Sequence, residues 1–187
     1  WLDFINPFSI LVAITSLALF MMHGAIFLAM KTENRLYAKL SILARRFTIF
    51  FVVSFGITSM YTLLYIPHLS DQLKQNPALF LLPLGMFIAI ANIPRQIKRQ
   101  QFGYAFISSS LTIAFLLVLV SFEVFPLLLR ASNDPSLSLT IYNSSSSPST
   151  MKTLLLIAAI GTPLIGIYST FVFWTFKGKV EMDEMSY

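Results

Sequence analysis

The chain has 187 residues and a net charge of +5, with 56% of its residues hydrophobic and 11% charged. A soluble domain carries about a quarter charged residues, and a single core could not hide this much apolar surface. The composition therefore excludes a water-soluble fold and predicts an all-α integral membrane protein, with about five transmembrane helices arranged as a four-helix bundle plus one peripheral helix.

The first two predicted spans cover about 7–30 and 47–66. Asn6 and Pro7 open the first span with a capping side chain and a proline at the first helical position, where the missing N–H does no harm. The second span stops at Pro67. The stretch 33–46 before it is interpreted as a helical extension along the inner membrane surface.

The last three predicted spans cover about 78–93, 102–129 and 153–176. The third is the shortest and contains Pro83, so a re-entrant or surface segment is the alternative interpretation. Pro126 lies near the far end of the fourth span, and Pro163 predicts a kink in the fifth. We expect residues 1–187 to form a single transmembrane bundle.

The basic residues predict the orientation of this bundle, because short loops rich in lysine and arginine face the cytoplasm. Five alternating spans place ten basic residues on one side: Lys31, Arg35, Lys39, Arg45, Arg46, Arg95, Lys98, Arg99, Lys177 and Lys179. The other side carries three: Lys74, Arg130 and Lys152. This predicts an exterior N-terminus and a cytoplasmic C-terminus, with anionic lipid headgroups rather than nucleic acid as partners.

His23 is the first residue that could carry chemistry, because a histidine within a membrane span is a functional candidate. The alternative is a helix–helix hydrogen bond, since the adjacent Gly24 lets a neighbouring helix approach closely. The second histidine, His68, falls in a predicted exterior loop. With one membrane histidine and no cysteine, the sequence predicts no haem or metal site in this chain alone.

Glu123 is the one acidic residue deep in an apolar run, near the outer end of the fourth span. A carboxylate there is costly unless it is neutral, paired or in contact with water. It is either a proton or quinol contact or a boundary residue that reaches water or pairs with Arg130. Gly24 and Gly161 are predicted to allow close helix packing, within this chain or against a partner.

Several short motifs occur in an order and spacing that resemble the C-terminal half of subunit II of cytochrome bd-type quinol oxidases. They are Asn6-Pro7-Phe8, His23-Gly24-Ala25, Lys31-Thr32-Glu33, Ser109-Ser110-Leu111-Thr112, Phe125-Pro126, Asn143-Ser144-Ser145-Ser146, Thr162-Pro163 and Phe176-Lys177-Gly178-Lys179-Val180. Together they cover nearly the whole chain.

The resemblance implies a subunit of a bacterial inner-membrane terminal oxidase, which oxidises quinol and reduces oxygen to water. In that family subunit I carries haem b and haem d, whereas subunit II binds no haem and supports its partner. The family's N-terminal half matches no position here, so we expect that half, or an additional small subunit, as a further partner. The alternative functions are a secondary transporter or channel half and a membrane scaffold protein.

Overall fold

A computed structural model of the chain describes residues 6–66, 80–129, 131 and 134–178. It contains five α-helices: α1 (Pro7–Lys31), α2 (Asn34–Tyr65), α3 (Leu81–Lys98), α4 (Phe102–Val124) and α5 (Pro148–Thr175). Two short strands, β1 (Leu127–Leu129) and β2 (Leu139–Thr140), lie between α4 and α5. The prediction of an all-α membrane protein is confirmed.

Four of these helices, α1, α2, α4 and α5, are long and apolar enough to cross a bilayer. The remaining helix, α3, begins at Leu81 and continues through Pro94 to Lys98, beyond the end predicted for the third span. Its last turn carries Arg95 and Lys98, and it lacks an apolar stretch as long as those of the other four helices. Its crossing of the membrane stays a prediction, and the start of the predicted span, together with Pro67 and His68, lies outside the described residues.

Helix α1 shows how the sequence sets both the start and the buried face of a helix. The Asn6 side chain accepts a hydrogen bond from the Ser9 backbone N–H at 2.7 Å, which confirms the predicted cap. The buried positions recur every three or four residues, as one face of a helix requires. They are Thr15, Ala18, Leu19, Met22, Ala25, Ile26 and Ala29.

Helix α2 has 32 residues and is therefore about 48 Å long. The predicted surface extension and the predicted second span are thus one continuous helix. Its C-terminal half packs along α1, where Thr15 and Thr58 share a hydrogen bond of 2.7 Å and the rings of Phe8 and Tyr61 stack. Polar contacts of this kind join helices in lipid, where the hydrophobic effect between them is weak.

Helices α3 and α4 complete the first of two compact units, whose described residues run from 6 to 123. The rings of Phe55 in α2 and Phe87 in α3 meet edge to face, with centroids 6.1 Å apart. Gly85 of α3 lies against Phe115 of α4 so closely that a Cβ atom would sit 2.9 Å from the ring. The buried residues of all four helices form one apolar core.

The second compact unit covers 124–178. Helix α4 ends at Val124, so the prediction that the fourth span continues to 129 was wrong. Pro126 is the physical reason, because it lacks an N–H and disfavours helical geometry at the preceding residue. Residues 127–129 instead form β1, antiparallel to β2.

Asn143 organises the turn that follows β2. Its side chain accepts from the Thr140 N–H at 2.7 Å and donates to the Ser138 carbonyl at 2.9 Å. Helix α5 then begins at Pro148, earlier than predicted, because the Ser147 side chain caps it. None of the residues of α5 is buried. Packing of both units into one bundle stays a prediction.

Candidate functional site

The structure places His23 of α1 against α4. Its Nδ1 lies 2.8 Å from the Ser109 hydroxyl, and its ring stacks on Phe106 with centroids 4.8 Å apart. The Ser109 hydroxyl donates to the Phe106 carbonyl at 2.9 Å. Because that uses its one proton, the His23 Nδ1–H is assigned as the donor, which leaves Nε2 as an acceptor. The histidine thus makes a helix–helix hydrogen bond.

A second polar contact joins α3 to α4 at the residue before Ser109. The Asn92 amide donates to the Ser108 hydroxyl at 2.9 Å and accepts from the Gln96 amide at 3.1 Å. Sequence reasoning identified His23 but missed Ser109 as its partner, and it missed Ser108 as the partner of Asn92. The available signal was the Ser108-Ser109-Ser110 run, three consecutive hydroxyl side chains within an apolar helix.

Glu123 lies in the final turn of α4, one residue before the helix ends. Its side chain is partly buried, and among the residues described none pairs with its carboxylate. A negative charge at a helix C-terminus opposes the helix dipole, so helix stability does not explain its presence. Arg130, its predicted pairing partner, lies outside the described residues.

The two candidate packing glycines show open space at the position of a Cβ atom. Neither Gly24 nor Gly161 would bring a Cβ within 4 Å of another part of the described chain. Close packing against a partner stays a prediction for both. Gly85, which sequence reasoning did not single out, is the glycine that does mark a close helix contact.

The described contacts of His23 involve its Nδ1 and one face of its ring, and they supply no second haem ligand. Phe106 covers one face of the imidazole, and Ser109, the group bonded to it, cannot serve as a second axial ligand. Within the described ranges no three histidine, aspartate or glutamate side chains converge on a common point.

The ends of α1 and α3 and the starts of α2 and α4 meet at one end of the first unit. We call this the basic end, because it carries eight basic residues: Lys31, Arg35, Lys39, Arg45, Arg46, Arg95, Lys98 and Arg99. Two clefts open there. One of about 560 Å³ lies between the α1–α2 turn and the start of α4, and one of about 400 Å³ lies between α2 and α3.

Gln100 lines both clefts and adopts a backbone conformation that is rare for a residue with a side chain. The N–H groups of Gln100 and Gln101 donate to the carbonyls of Ile97 and Gln96, which closes α3 with a Schellman motif. Gln100 has a φ of 59°, where glycine is usual and another residue costs roughly 1–2 kcal/mol. Its amide oxygen accepts a hydrogen bond from the Tyr37 hydroxyl, so this residue ties the end of α3 to α2.

Comparison with known proteins supplies the family. The model of the family described as cytochrome bd terminal oxidase subunit II matches residues 1–176. The chain belongs to this family. The resemblance to cytochrome bd oxidase subunit II that the short motifs indicated is thereby confirmed. The long apolar helices of the fold are consistent with this family of membrane proteins.

Two relatives show the extent of this similarity. The chain is 21% identical to cytochrome bd-I ubiquinol oxidase subunit 2 of Escherichia coli (strain K12), over 97% of this chain and 55% of that protein. It is 26% identical to a probable cytochrome oxidase subunit 2 of Haemophilus influenzae, over 97% of this chain and 54% of that protein. The chain thus spans about half the length of the curated relatives it matches.

Proposed function

We propose that this chain is a non-haem-binding subunit of a bacterial cytochrome bd-type terminal oxidase, which oxidises quinol and reduces oxygen to water. The observation that carries the proposal is the family match over 1–176. The chain would lie in the cytoplasmic membrane and support a haem-bearing subunit I. Haem b and haem d, held by that partner, would supply the electron transfer to oxygen.

The role of this chain's own residues in such a complex is structural. His23 and Asn92 use their polar groups to join α1 and α3 to α4. The outward faces of these helices carry large exposed apolar side chains, including Phe20, Ile88 and Ile107. In a membrane complex such faces meet lipid tails or the helices of a partner, so they need no further cover from this chain. We infer that the isolated chain has no catalytic activity.

Co-purification from native membranes tests this function. A tagged copy of the chain, isolated in mild detergent, should bring with it a haem-bearing protein and show quinol oxidase activity. The reduced-minus-oxidised spectrum of that preparation should contain haem b and haem d bands. Recovery of the chain without a haem protein would contradict the proposal.

A secondary transporter or channel half is the competing function. The polar contacts of His23 and Asn92 inside apolar helices are the feature that favours it, since transport sites are built from polar groups at membrane depth. Reconstitution of the chain alone into vesicles separates the two functions. Solute flux there would favour the transporter, and we expect none.

A further inference from the structure

The cleft between α2 and α3 at the basic end combines cationic and apolar side chains within about 400 Å³. We call it the arginine cleft. Its polar lining includes Arg45, Arg46, Ser41 and Gln100, and isoleucines 42, 49 and 97 also line it. A cavity with this lining suits a ligand that has an anionic part and a hydrocarbon part.

The two arginines bring positive charge to this cleft. They are adjacent in sequence, and within the described part of the chain neither guanidinium forms an ion pair. Guanidinium groups bind phosphate oxygens through paired hydrogen bonds with fixed geometry. An anion between the two side chains would relieve their mutual repulsion.

Ser41 provides a hydroxyl group that is buried and has no hydrogen-bond partner among the described residues. Hydroxyl side chains within helices commonly donate to the carbonyl four residues earlier. In the same helix Thr48 and Ser54 do so, at 2.8 Å each. Ser41 does not, although it lines the cleft, so a rotation about its Cα–Cβ bond would present its unpartnered hydroxyl to a group there.

Gln100 adds a second available donor. Its amide oxygen is occupied by the Tyr37 hydroxyl, which leaves the amide NH₂ group as the part of this side chain that can bind a ligand. The strained backbone of Gln100 holds the side chain beside the cleft. Strain of this kind is often retained where a binding site requires a fixed side chain.

The lining residues of α2 also place the cleft at the membrane boundary. Tyr37, Ser41, Arg45 and Ile49 follow one another at four-residue steps and therefore lie along one face of the helix. The face changes from polar to cationic to apolar in the direction that leads into the span. Phospholipids present the same order, from headgroup through phosphate to acyl chain.

We propose that the arginine cleft binds one anionic phospholipid. Arg45 and Arg46 would hold its phosphodiester, Ser41 and Gln100 would donate hydrogen bonds to the headgroup oxygens, and an acyl chain would lie along the exposed side chain of Ile49. The bound lipid joins the N-terminal part of α2 to the end of α3. The proposal does not depend on the redox activity of the complex.

Native mass spectrometry of the detergent-exchanged complex tests this site, with phosphatidylglycerol as the probe. Phosphatidylcholine with the same acyl chains controls for the charge, and glycerol 3-phosphate represents the headgroup without chains. Ser41→Leu fills the cleft without changing the charge. Arg45→Gln with Arg46→Gln removes the cations, and Arg35→Gln with Lys39→Gln removes two charges from the same helix outside the cleft.

We expect one phosphatidylglycerol to be retained per chain, in preference to phosphatidylcholine. The arginine pair should lower its affinity roughly thirtyfold, at about fivefold per arginine. Ser41→Leu should lower it by about tenfold or more, because the cleft no longer has room for the headgroup. The control pair should stay within about threefold of the unmodified protein, because screened charges outside the cleft act weakly.

Three results would overturn the proposal. Equal losses in the arginine pair and the control pair, with no loss in Ser41→Leu, would show diffuse attraction instead of a site. Competition by glycerol 3-phosphate at the same concentration would assign the cleft to a soluble phosphate. No preference for phosphatidylglycerol in the assembled complex would show that protein covers the cleft. If Ser41→Leu does not fold, the comparison of the arginine pair with the control pair still distinguishes a specific site from diffuse charge attraction.

Discussion

At the scale of single residues, His23 shows how a polar side chain is satisfied inside an apolar helix. The imidazole donates to Ser109 on the neighbouring helix and rests on the ring of Phe106. Both contacts involve residues more than 80 positions away in sequence, so they hold α1 against α4. Double-mutant cycles assign such hydrogen bonds in membranes about 0.6 kcal/mol, and up to about 1.7 kcal/mol.

Replacement of His23 by alanine should leave every haem band of the purified complex in place. The yield of complex should fall modestly, because the hydrogen bond to Ser109 and the ring contact with Phe106 are lost. Ser109→Ala is the matched control, since it removes the same hydrogen bond and keeps the histidine. A band that disappears in His23→Ala but remains in Ser109→Ala, in an assembled complex, would identify His23 as a ligand.

Replacement of Glu123 by glutamine tests whether its carboxylate has a role in turnover. Because Glu123 lies in the last turn of α4, near the end of the apolar helix, we expect water to reach it and turnover to stay unchanged. Glutamine keeps the size and hydrogen bonding but cannot titrate. Quinol oxidase activity of the purified complex should be measured across pH, with Asp134→Asn as the control outside α4. Slower oxygen consumption with intact spectra would make Glu123 a proton or quinol contact.

At the scale of the elements, the sequence predicts a helix end well when the signal is local. Asn6 and Pro7 mark the start of α1 because a cap needs only neighbouring residues. The end of α4 was missed because Leu127–Leu129 is as apolar as the helix before it. The partners of His23 and the close contact at Gly85 were also missed, because both depend on which helices meet, and no single helix contains that information.

The contact between Gly85 and Phe115 predicts a different response to alanine at two helical glycines. Gly85→Ala places its Cβ 2.9 Å from the Phe115 ring unless the ring moves, and overpacking of this kind costs about 1–3 kcal/mol. Gly56→Ala in α2 is the control, because its Cβ would meet nothing within 4 Å. Thermal unfolding should show Gly85→Ala as the less stable variant. Equal stabilities would mean that the Phe115 ring yields without cost.

At the scale of the whole molecule, the distribution of basic residues predicts the side on which each connection lies. The chain contains no cysteine, so single cysteines introduced at Asn34 and Ser145 give an unambiguous signal. An impermeant thiol reagent should label Ser145→Cys in intact cells and should label Asn34→Cys only after the membrane is opened. The reverse pattern would overturn the predicted orientation.

Assembly with a partner is predicted to depend on Gly24 and Gly161. Leucine at either position should lower the yield of the complex, because close helix packing drives association in lipid. The described chain has room for a Cβ at both positions. A loss of complex should therefore reflect the contact with the partner and not the folding of this chain. To separate the two, the amount of the chain in the membrane is measured as the control, apart from the recovery of subunit I. Normal recovery of both variants would mean that these positions face lipid.

The length of α2 has a mechanical consequence for the basic end. Two residues, Thr32 and Glu33, separate α1 from α2, so these helix ends must share one side of the membrane. A helix of about 48 Å exceeds a hydrocarbon core of about 30 Å, so an upright α2 would project as a rigid rod. One inserted residue would turn everything beyond it by about 100° and raise it by about 1.5 Å. A flexible loop would absorb that change. In a continuous helix, every basic side chain beyond the insertion would be rotated and displaced instead.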